Sequence, residues 1–279
     1  MITRKKFLLY SGAFAVGTMF LPSFALENNF GIKNLGVQLY TFREAMYTDP
    51  IGTLNIIADL GFKKIESAKS NKGFYYGLKP KEMQEVCQNL GMNLLSGHVP
   101  LDKDWEKTMN VASAAGQEYL ICSSMPFGGQ TVDNYKKVAE KFNEVGEACK
   151  KMGLKFGYHN QTMEFEAQNG KVLYDVLLEH TDPELVHMEI DLAMLVLAGK
   201  DPVTYFAKYP GRFPLWHLKD MIIDKGRSTE FGKGGVDIAG ILKHKKEAGL
   251  KHIFLEQEEY TSSPYESMRH NVTYLQKLL

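Results

Sequence analysis

Short apolar runs that end in a polar or ionisable side chain recur along most of this chain. Runs of this length, bounded by turn-forming residues, are typical of buried β-strands. We predict eight strands, at a spacing of roughly thirty residues, as expected for repeated βα units. They cover residues 35–40, 63–66, 93–98, 119–123, 155–159, 186–191, 215–218 and 252–256.

Helical patterns lie between the predicted strands, and a glycine stands directly after five of them. Glycine is common there because it adopts, without steric strain, the left-handed backbone conformation that ends many helices. The repeated order of helix, glycine and strand supports the assignment of these segments. The five predicted helices cover residues 53–60, 80–90, 105–115, 132–152 and 238–248.

A strand followed by a helix, repeated eight times, predicts an α/β fold of the (β/α)8 TIM-barrel type. A doubly wound open sheet is the competing fold, and it would place a glycine-rich phosphate-binding turn after the first strand. Here the first strand leads into Thr41, Phe42 and Arg43, without such a turn. Since no linker or low-complexity segment interrupts residues 26–279, we expect them to form a single TIM-barrel domain.

Residues 1–25 have the pattern of a secretory signal peptide. Cations at residues 4–6 precede an apolar run at 7–21, and a small-x-small ending follows at 23–25. The run is short and interrupted by glycine for a transmembrane span. It also resembles a twin-arginine (Tat) export signal, with Lys5 in place of the second arginine. We therefore expect an exported, periplasmic protein with no stable membrane span after cleavage; an uncleaved anchor is the alternative.

The overall charge disfavours nucleic acid as a partner. The chain has 33 cations and 33 acids, and cleavage after residue 25 would leave 30 cations, a net charge of −3. No basic stripe of the kind that binds nucleic acid is present in the sequence. The three cysteines, Cys87, Cys122 and Cys149, are too few and too scattered for a disulfide framework and are expected to be small buried apolar residues.

Ionisable side chains stand at the ends of several predicted strands. All strand ends of a parallel barrel meet at one face, where the chemistry of TIM barrels is found. Acids that converge in a concave site are electrostatically unfavourable unless a cation or raised pKa values relieve them. We expect a divalent metal site formed by His159, Asp191, His217 and Glu256, the alternative being a buried hydrogen-bonded network without a cation.

The mixed carboxylate and imidazole set limits the choice of metal. Such donors suit Mn²⁺, Zn²⁺, Co²⁺ or Fe²⁺ better than Ca²⁺. The absence of cysteine from the set argues against a structural zinc site. The expected cofactor is a divalent ion such as Mn²⁺, Zn²⁺, Co²⁺ or Mg²⁺.

Several neighbouring side chains have two interpretations each. Lys219 is expected to contact substrate, and an ion pair with Glu189 or Glu258 is the alternative. His98 and Glu66 end two strands and are expected to bind substrate hydroxyl groups, unless the fold itself satisfies their hydrogen bonds.

Other candidate residues lie near the predicted mouth of the barrel. Tyr40 and Trp216 suit stacking on a sugar ring, although aromatic residues there also serve as core. Asp220 should face away from the cavity and be structural. The segment 231–235 lacks the P-loop pattern and is expected to be a flexible active-site loop.

Short motifs connect these candidates in a fixed order. In order and spacing they resemble the sugar phosphate isomerase/epimerase family of xylose isomerase-like TIM barrels, over nearly the whole of the proposed domain. The motifs lie at residues 158–161, 164–165, 188–191, 198–202, 211–212, 217–220 and 254–256.

The resemblance implies a metal-dependent enzyme. Ketose 3-epimerases of this superfamily bind their metal through Glu, Asp, His and Glu, and Asp191, His217 and Glu256 match the last three. The first position is His159 here, which departs from the pattern and disfavours epimerisation by two glutamates. Barrels of this kind often form dimers or tetramers, so a homo-oligomer is compatible with the resemblance.

The reaction implied is proton abstraction next to the carbonyl of a small sugar or polyol. Glu256, or as a second choice His159, removes the proton, and the metal and Lys219 hold the charge of the enediolate. A sugar isomerase or epimerase is the first expectation. A lyase or hydratase acting on 3-keto sugars or inososes is the alternative. A non-catalytic carbohydrate-binding barrel and a metal-dependent endonuclease are further alternatives, and the net charge disfavours the endonuclease.

Overall fold

A computed structural model describes residues 35–126 and 128–279. Eight parallel strands close into a barrel, in which the first and last strands in sequence are neighbours. This confirms the predicted (β/α)8 fold. The strands are β1 (Leu35–Gln38), β2 (Lys64–Ser67), β3 (Asn93–Val99), β4 (Tyr119–Cys122), β5 (Lys155–His159), β6 (Val186–Asp191), β7 (Leu215–Leu218) and β8 (His252–Leu255).

The predicted signal peptide at residues 1–25 lies outside the described residues and stays a prediction. Within the described ranges, no helix combines the length and apolar character that crossing a membrane requires. Cys87, Cys122 and Cys149 are free and buried, as expected.

The helices cover the outside of the barrel. The sequence pattern missed helices that are not directly followed by a glycine, among them Leu173–His180, Pro202–Lys208 and Pro264–Leu275, which are followed by Thr181, Tyr209 and Gln276. The predicted helix at 238–248 is divided into two short helices. The helices are α1 (Arg43–Thr48), α2 (Pro50–Asp59), α3 (Pro80–Asn89), α4 (Trp105–Ala114), α5 (Val132–Lys151), α6 (Leu173–His180), α7 (Leu192–Leu197), α8 (Pro202–Lys208), α9 (Ile238–Leu242), α10 (Lys245–Ala248) and α11 (Pro264–Leu275).

Two apolar layers form the core. The larger lies between the barrel and its helices. The smaller fills the barrel interior, because alternate residues of each strand point inward. Gly36 makes room for it: a Cβ atom on Gly36 would lie 2.5 Å from a ring carbon of Phe254. This interior layer, which we call the barrel floor, consists of Leu95, Tyr119, Ile121, Leu215 and Phe254.

Strand register brings the ionisable residues together above the barrel floor. Asp191 on β6 pairs with His217 on β7, and Glu189 pairs with His159 on β5. Glu256 follows the end of β8 directly. The candidate ligands therefore come from adjacent strands at the carboxyl end of the barrel.

Candidate active site and metal centre

A cavity of about 390 Å³ opens at the carboxyl ends of the strands. Its wall includes six residues that the sequence pointed to, which are Tyr40, His98, His159, Asp191, Lys219 and Glu256. It also includes residues that the sequence analysis did not single out as site residues, namely Ala68, Lys69, Val99, Pro100, Ser123, Ser124, Gln161 and Glu258.

The four predicted metal ligands lie close together. His159 Nε2 is 3.1 Å from His217 Nδ1 and 3.6 Å from Asp191 Oδ2. His217 Nδ1 is 3.0 Å from Glu256 Oε2. One donor atom from each residue lies within 4.8 Å of the donor atoms of the other three. The set is compact enough to surround one ion.

Asp191 tests whether these residues fit a cation. Its Oδ1 accepts hydrogen bonds from the backbone N–H groups of Ala193 and Met194, each at 2.9 Å, and so caps the start of α7. Its Oδ2 is buried and has no hydrogen-bond partner among the described residues. A buried carboxylate oxygen that has ionisable neighbours, Lys219 at 3.3 Å and His159 at 3.6 Å, but no hydrogen bond is expected at a metal ligand. Two imidazoles and two carboxylates also suit a transition metal, so the donor set fits.

Lys219 supplies positive charge inside the site. Its Nζ lies 2.9 Å from Glu256 Oε2, 2.9 Å from Glu258 Oε1 and 3.3 Å from Asp191 Oδ2. Burial opposes the charged lysine, but the three carboxylates prevail and hold its pKa well above the usual value. Burial also opposes ionisation of Glu256, yet Lys219 and His217 hold the pKa of this carboxyl well below its usual value.

The two histidines of the ligand set differ in charge. Burial and the neighbouring His217 lower the pKa of His159 to about 4, so it is neutral at neutral pH, as a metal ligand must be. Burial would also lower the pKa of His217, but the carboxylates of Glu189 and Glu66 prevail and raise it well above its usual value.

Glu66 is not where the sequence analysis placed it. It was expected to bind substrate, but its side chain is fully buried below the cavity and does not line it. Its Oε1 lies 2.5 Å from His217 Nε2 and accepts a hydrogen bond from Gln38 at 2.8 Å, and Oε2 accepts one from Ser96. Burial opposes its ionisation, but His98 and His217 hold its pKa well below the usual value.

His98 and Glu189 form a pair beside Glu66. His98 Nε2 lies 2.8 Å from Glu189 Oε2 and 3.3 Å from Glu66 Oε1. Burial lowers the pKa of His98, but the two carboxylates prevail and raise it to about 9. Burial and the charge of Glu66 raise the pKa of Glu189 to about 7. His98 lines the cavity and therefore presents a protonated imidazole to it.

Trp216 is a second correction. It was expected near substrate, but it points out of the barrel and is fully buried between β7 and the helices. Its ring stacks on Phe206 at a centroid distance of 5.0 Å, and its indole N–H donates to the carbonyl of Phe213. Tyr40, in contrast, lies at the rim of the cavity, where it is 41% exposed and is covered by the guanidinium of Arg43.

Asp220 is structural, as expected. Its carboxylate accepts hydrogen bonds from the backbone N–H groups of Gly232, Gly234 and Val236. The segment 231–235 is therefore tied to the end of β7 and does not line the cavity, which contradicts the expectation of a flexible active-site loop.

The residues that the sequence analysis missed share one property. Ser123, Gln161 and Lys69 come one or two residues after the ends of strands, at uncharged or exposed positions. Ser123 is the last residue of a predicted strand, Gln161 lies in the quoted motif 158–161, and Lys69 follows a predicted strand by three residues. These positions were the available signals. The side-chain amide of Asn160, in a quoted motif, accepts a hydrogen bond from the backbone N–H of Asp191 and donates one to its carbonyl, and so fixes the end of β5 to the end of β6.

Comparisons with known proteins agree with this fold. A family model described as the xylose isomerase-like TIM barrel matches residues 54–278. The crystal structure of a sugar phosphate isomerase/epimerase from Parabacteroides distasonis superimposes with a TM-score of 0.78 at 26% identity, covering 90% of this chain and 96% of that one.

Curated relatives carry the name of a lyase. Inosose dehydratase 2 from Bacillus cereus is 30% identical over 272 residues, which is 88% of this chain and 88% of that protein. Inosose dehydratase from Clostridium tetani is 31% identical over 125 residues, 45% of this chain and 37% of that protein. The chain spans about half the length, or less, of several curated relatives that it matches. The family match and the closed barrel together show that this chain belongs to the xylose isomerase-like TIM barrel family.

Proposed function

We propose that this protein is a metal-dependent lyase that removes water from a small polyhydroxylated ketone of the inosose type. The supporting observation is the make-up of the cavity wall that faces Glu256. In the strand order of the barrel, β3, β4 and β5 lie across from β8. The ends of these strands contribute His98, Ser123 and His159 to the cavity, and no carboxylate within the described residues.

This wall suits one-sided proton chemistry. An epimerase that uses two glutamates needs a carboxylate on each face of its substrate. His159 occupies the position of the first glutamate, and because its pKa is lowered to about 4 its ring is neutral at neutral pH and does not serve as a general acid. One carboxylate base facing a protonated His98 is an arrangement that suits elimination better than epimerisation.

Glu256 is proposed as the base. Its Oε2 contacts Lys219 and His217, and no hydrogen bond to Oε1 is found among the described residues. Because its pKa is held low, Glu256 is ionised and can accept a proton, although only from an acidified carbon. A divalent ion bound by His159, Asp191, His217 and Glu256 would polarise the substrate carbonyl and so acidify that carbon.

Lys219 and His98 complete the proposed reaction. The buried ammonium of Lys219 stabilises negative charge that develops on the substrate oxygen. His98 lines the cavity, its pKa is raised to about 9 by Glu66 and Glu189, and it is proposed to give a proton to the departing hydroxyl group. The C–H proton passes to Glu256, the C–O bond breaks, and the hydroxyl leaves as water with the proton from His98.

The comparisons support a lyase more than the isomerase that the sequence analysis put first. The curated relatives are named inosose dehydratases. The structural relative from Parabacteroides distasonis keeps isomerisation as a second candidate. Export remains a proposal that rests on residues 1–25 alone, and mass spectrometry of the mature protein from a periplasmic extract would test it.

The test is incubation in D₂O with inosose, a panel of ketoses and 3-keto-glycosides, each with Mn²⁺, Co²⁺, Zn²⁺ or Mg²⁺. We expect inosose to lose water, which mass spectrometry and NMR would detect. The Glu256→Gln variant should not catalyse this loss. Glu258→Gln is the matched control, since Glu258 lines the same cavity and contacts the same lysine. It should retain much more activity.

Two outcomes would contradict the proposal. Deuterium exchange or epimerisation of a ketose without loss of water would assign an isomerase. Binding of the ketones without either exchange or water loss would assign a carbohydrate-binding barrel.

A further inference from the structure

His217 lies between two carboxylates that contact opposite sides of its ring. Its Nε2 is 2.5 Å from Glu66 Oε1, and its Nδ1 is 3.0 Å from Glu256 Oε2. His159 Nε2 is also on the Nδ1 side, at 3.1 Å. An imidazole that binds a metal through one nitrogen carries a proton on the other. Only one of the two ring nitrogens of His217 can therefore bind an ion.

Glu66 is surrounded by hydrogen-bond donors. Gln38 donates to Oε1 at 2.8 Å, and the hydroxyl of Ser96 donates to Oε2. The three side chains come from β1, β2 and β3, and each of them is fully buried. Gln38 is fixed in turn, since its own Oε1 accepts the backbone N–H of Tyr40 at 3.1 Å. Because Glu66 Oε1 already accepts a hydrogen bond from Gln38, the atom of His217 that faces this oxygen must be a donor.

Metal binding through Nε2 of His217 would require a different set of ligand residues. A second group of residues, His98, His159, Glu189 and His217, is also close enough to surround an ion. In that set His217 Nε2 would bind the metal, but Glu66 already lies 2.5 Å from it while Glu189 Oε2 is at 3.3 Å. Glu189 Oε2 is itself paired with His98 at 2.8 Å. The Nε2 side is therefore occupied by a proton and its acceptor.

We infer that Glu66 is a positioning residue that keeps the proton of His217 on Nε2 and thereby makes Nδ1 the metal-binding atom. The inference rests on the metal dependence in the proposed function and adds the ligand atom and the residue that selects it. A carboxylate behind a ligating histidine fixes the tautomer and the ring orientation and makes the ligand more basic. Asp191, His159 and Glu256 then complete the set on the Nδ1 side.

A direct test reads the tautomer in the unmodified protein. The Zn²⁺-loaded protein, labelled with ¹⁵N-histidine, should show His217 with a proton bonded to Nε2 and a metal-shifted, unprotonated Nδ1. His217→Asn provides the assignment of the signal. A proton on Nδ1, or a metal-shifted Nε2, would overturn the inference. This measurement requires no variant of Glu66 and no turnover.

A pair of variants separates positioning from charge. Glu66→Gln should weaken Mn²⁺ binding, measured by titration calorimetry, by about 10- to 100-fold, while far-ultraviolet circular dichroism stays unchanged. Glu189→Gln is the matched control, because Glu189 is as buried and close to the same ring but bonds His98 instead. It should weaken binding much less. Equal losses in both variants would mean that only the buried charge matters and would contradict the assignment.

Failure of this inference differs from failure of the proposed function. Metal bound through Nε2 with intact loss of water from inosose would refute only the role of Glu66. Metal bound through Nδ1 without any loss of water would refute only the lyase.

Discussion

The ammonium group of Lys219 lies 2.9 Å from Glu256 Oε2, and both side chains are almost completely buried. A buried ion pair of this kind is held by mutual attraction because neither partner is solvated by water. In the absence of a metal ion, Lys219 is therefore the main cation that compensates the ligand carboxylates.

Lys219→Met should destabilise the metal-free protein. Removing one partner of a buried pair leaves an uncompensated charge, which costs about 3–5 kcal/mol. The measurement is urea denaturation of the chelated protein. Lys155→Met is the matched control, since Lys155 pairs with Glu118 at 2.5 Å on the surface, where such a pair contributes about 1 kcal/mol or less. Equal losses from the two variants would contradict the compensating role of Lys219.

Removal of divalent metal should lower the melting temperature. At an ion concentration about 1,000 times its Kd, binding stabilises the folded state by about 4 kcal/mol, so thermal unfolding with EDTA and with Mn²⁺ should differ clearly. Asp191→Asn should lose this difference, because it removes the anionic Oδ2. The variant should still fold, since asparagine also caps helices well and Oδ1 can keep its contacts with α7. A melting temperature that no divalent ion changes would argue against the metal centre.

Stability should fall below about pH 6.5 for a reason outside the active site. His187 and His252 pack against Tyr119 near the amino-terminal end of the barrel. Burial is the main cause that lowers the pKa of both imidazoles. Lys155 lowers that of His187 further and Lys64 that of His252, so that each pKa is about 4. The unfolded chain binds these protons at about pH 6.5, so it gains protons first as the pH falls.

The loss of folding stability should therefore develop between about pH 6.5 and pH 4 and reach up to about 2 kcal/mol for each histidine. Chemical denaturation of the parent and of His252→Gln across this range measures it. The variant should show a shallower pH dependence, and parallel curves for the two proteins would exclude His252 as a cause.

Trp216→Phe tests the corrected position of this residue. The substitution keeps the stacking on Phe206 but removes the hydrogen bond to the carbonyl of Phe213. We expect a loss of about 1–2 kcal/mol in stability and an unchanged KM. Tyr40→Ala, at the cavity rim, should show the reverse pattern, a raised KM with little change in stability. A raised KM in Trp216→Phe would restore Trp216 as a substrate contact.

The sequence was sufficient for most strands because they are apolar runs buried on both sides. It was insufficient for α6, which ends at His180 and is followed by Thr181, with no glycine to mark the end. In the site, strand alternation brought Asp191, His217 and Glu256 into one cluster, of which Asp191 and Glu256 line the cavity while His217 is fully buried. The same alternation places Trp216 on the face opposite His217, so its assignment as a substrate contact conflicted with the pattern itself.

Glu66 could not have been placed from local pattern. Its depth depends on how β2 is offset from its neighbours, and the pairing of β2 with β3 shifts by one residue between Ile65 and Glu66. Register between strands is set by packing of the whole barrel and leaves no mark in a short window of sequence. The donors Gln38 and Ser96, which reveal the role of Glu66, come from two other strands.

The barrel floor would set the order in which a metal ion and a substrate bind and leave. Phe254 and its neighbours close the interior below His217, so the opening at the carboxyl ends of the strands is the route for both. An ion held by His159, Asp191, His217 and Glu256 would lie deeper than a substrate in the cavity and would have to enter first. A bound ketone would then cover the ion, and a chelator could reach it only after product has left. A saturating substrate should therefore protect the enzyme from EDTA.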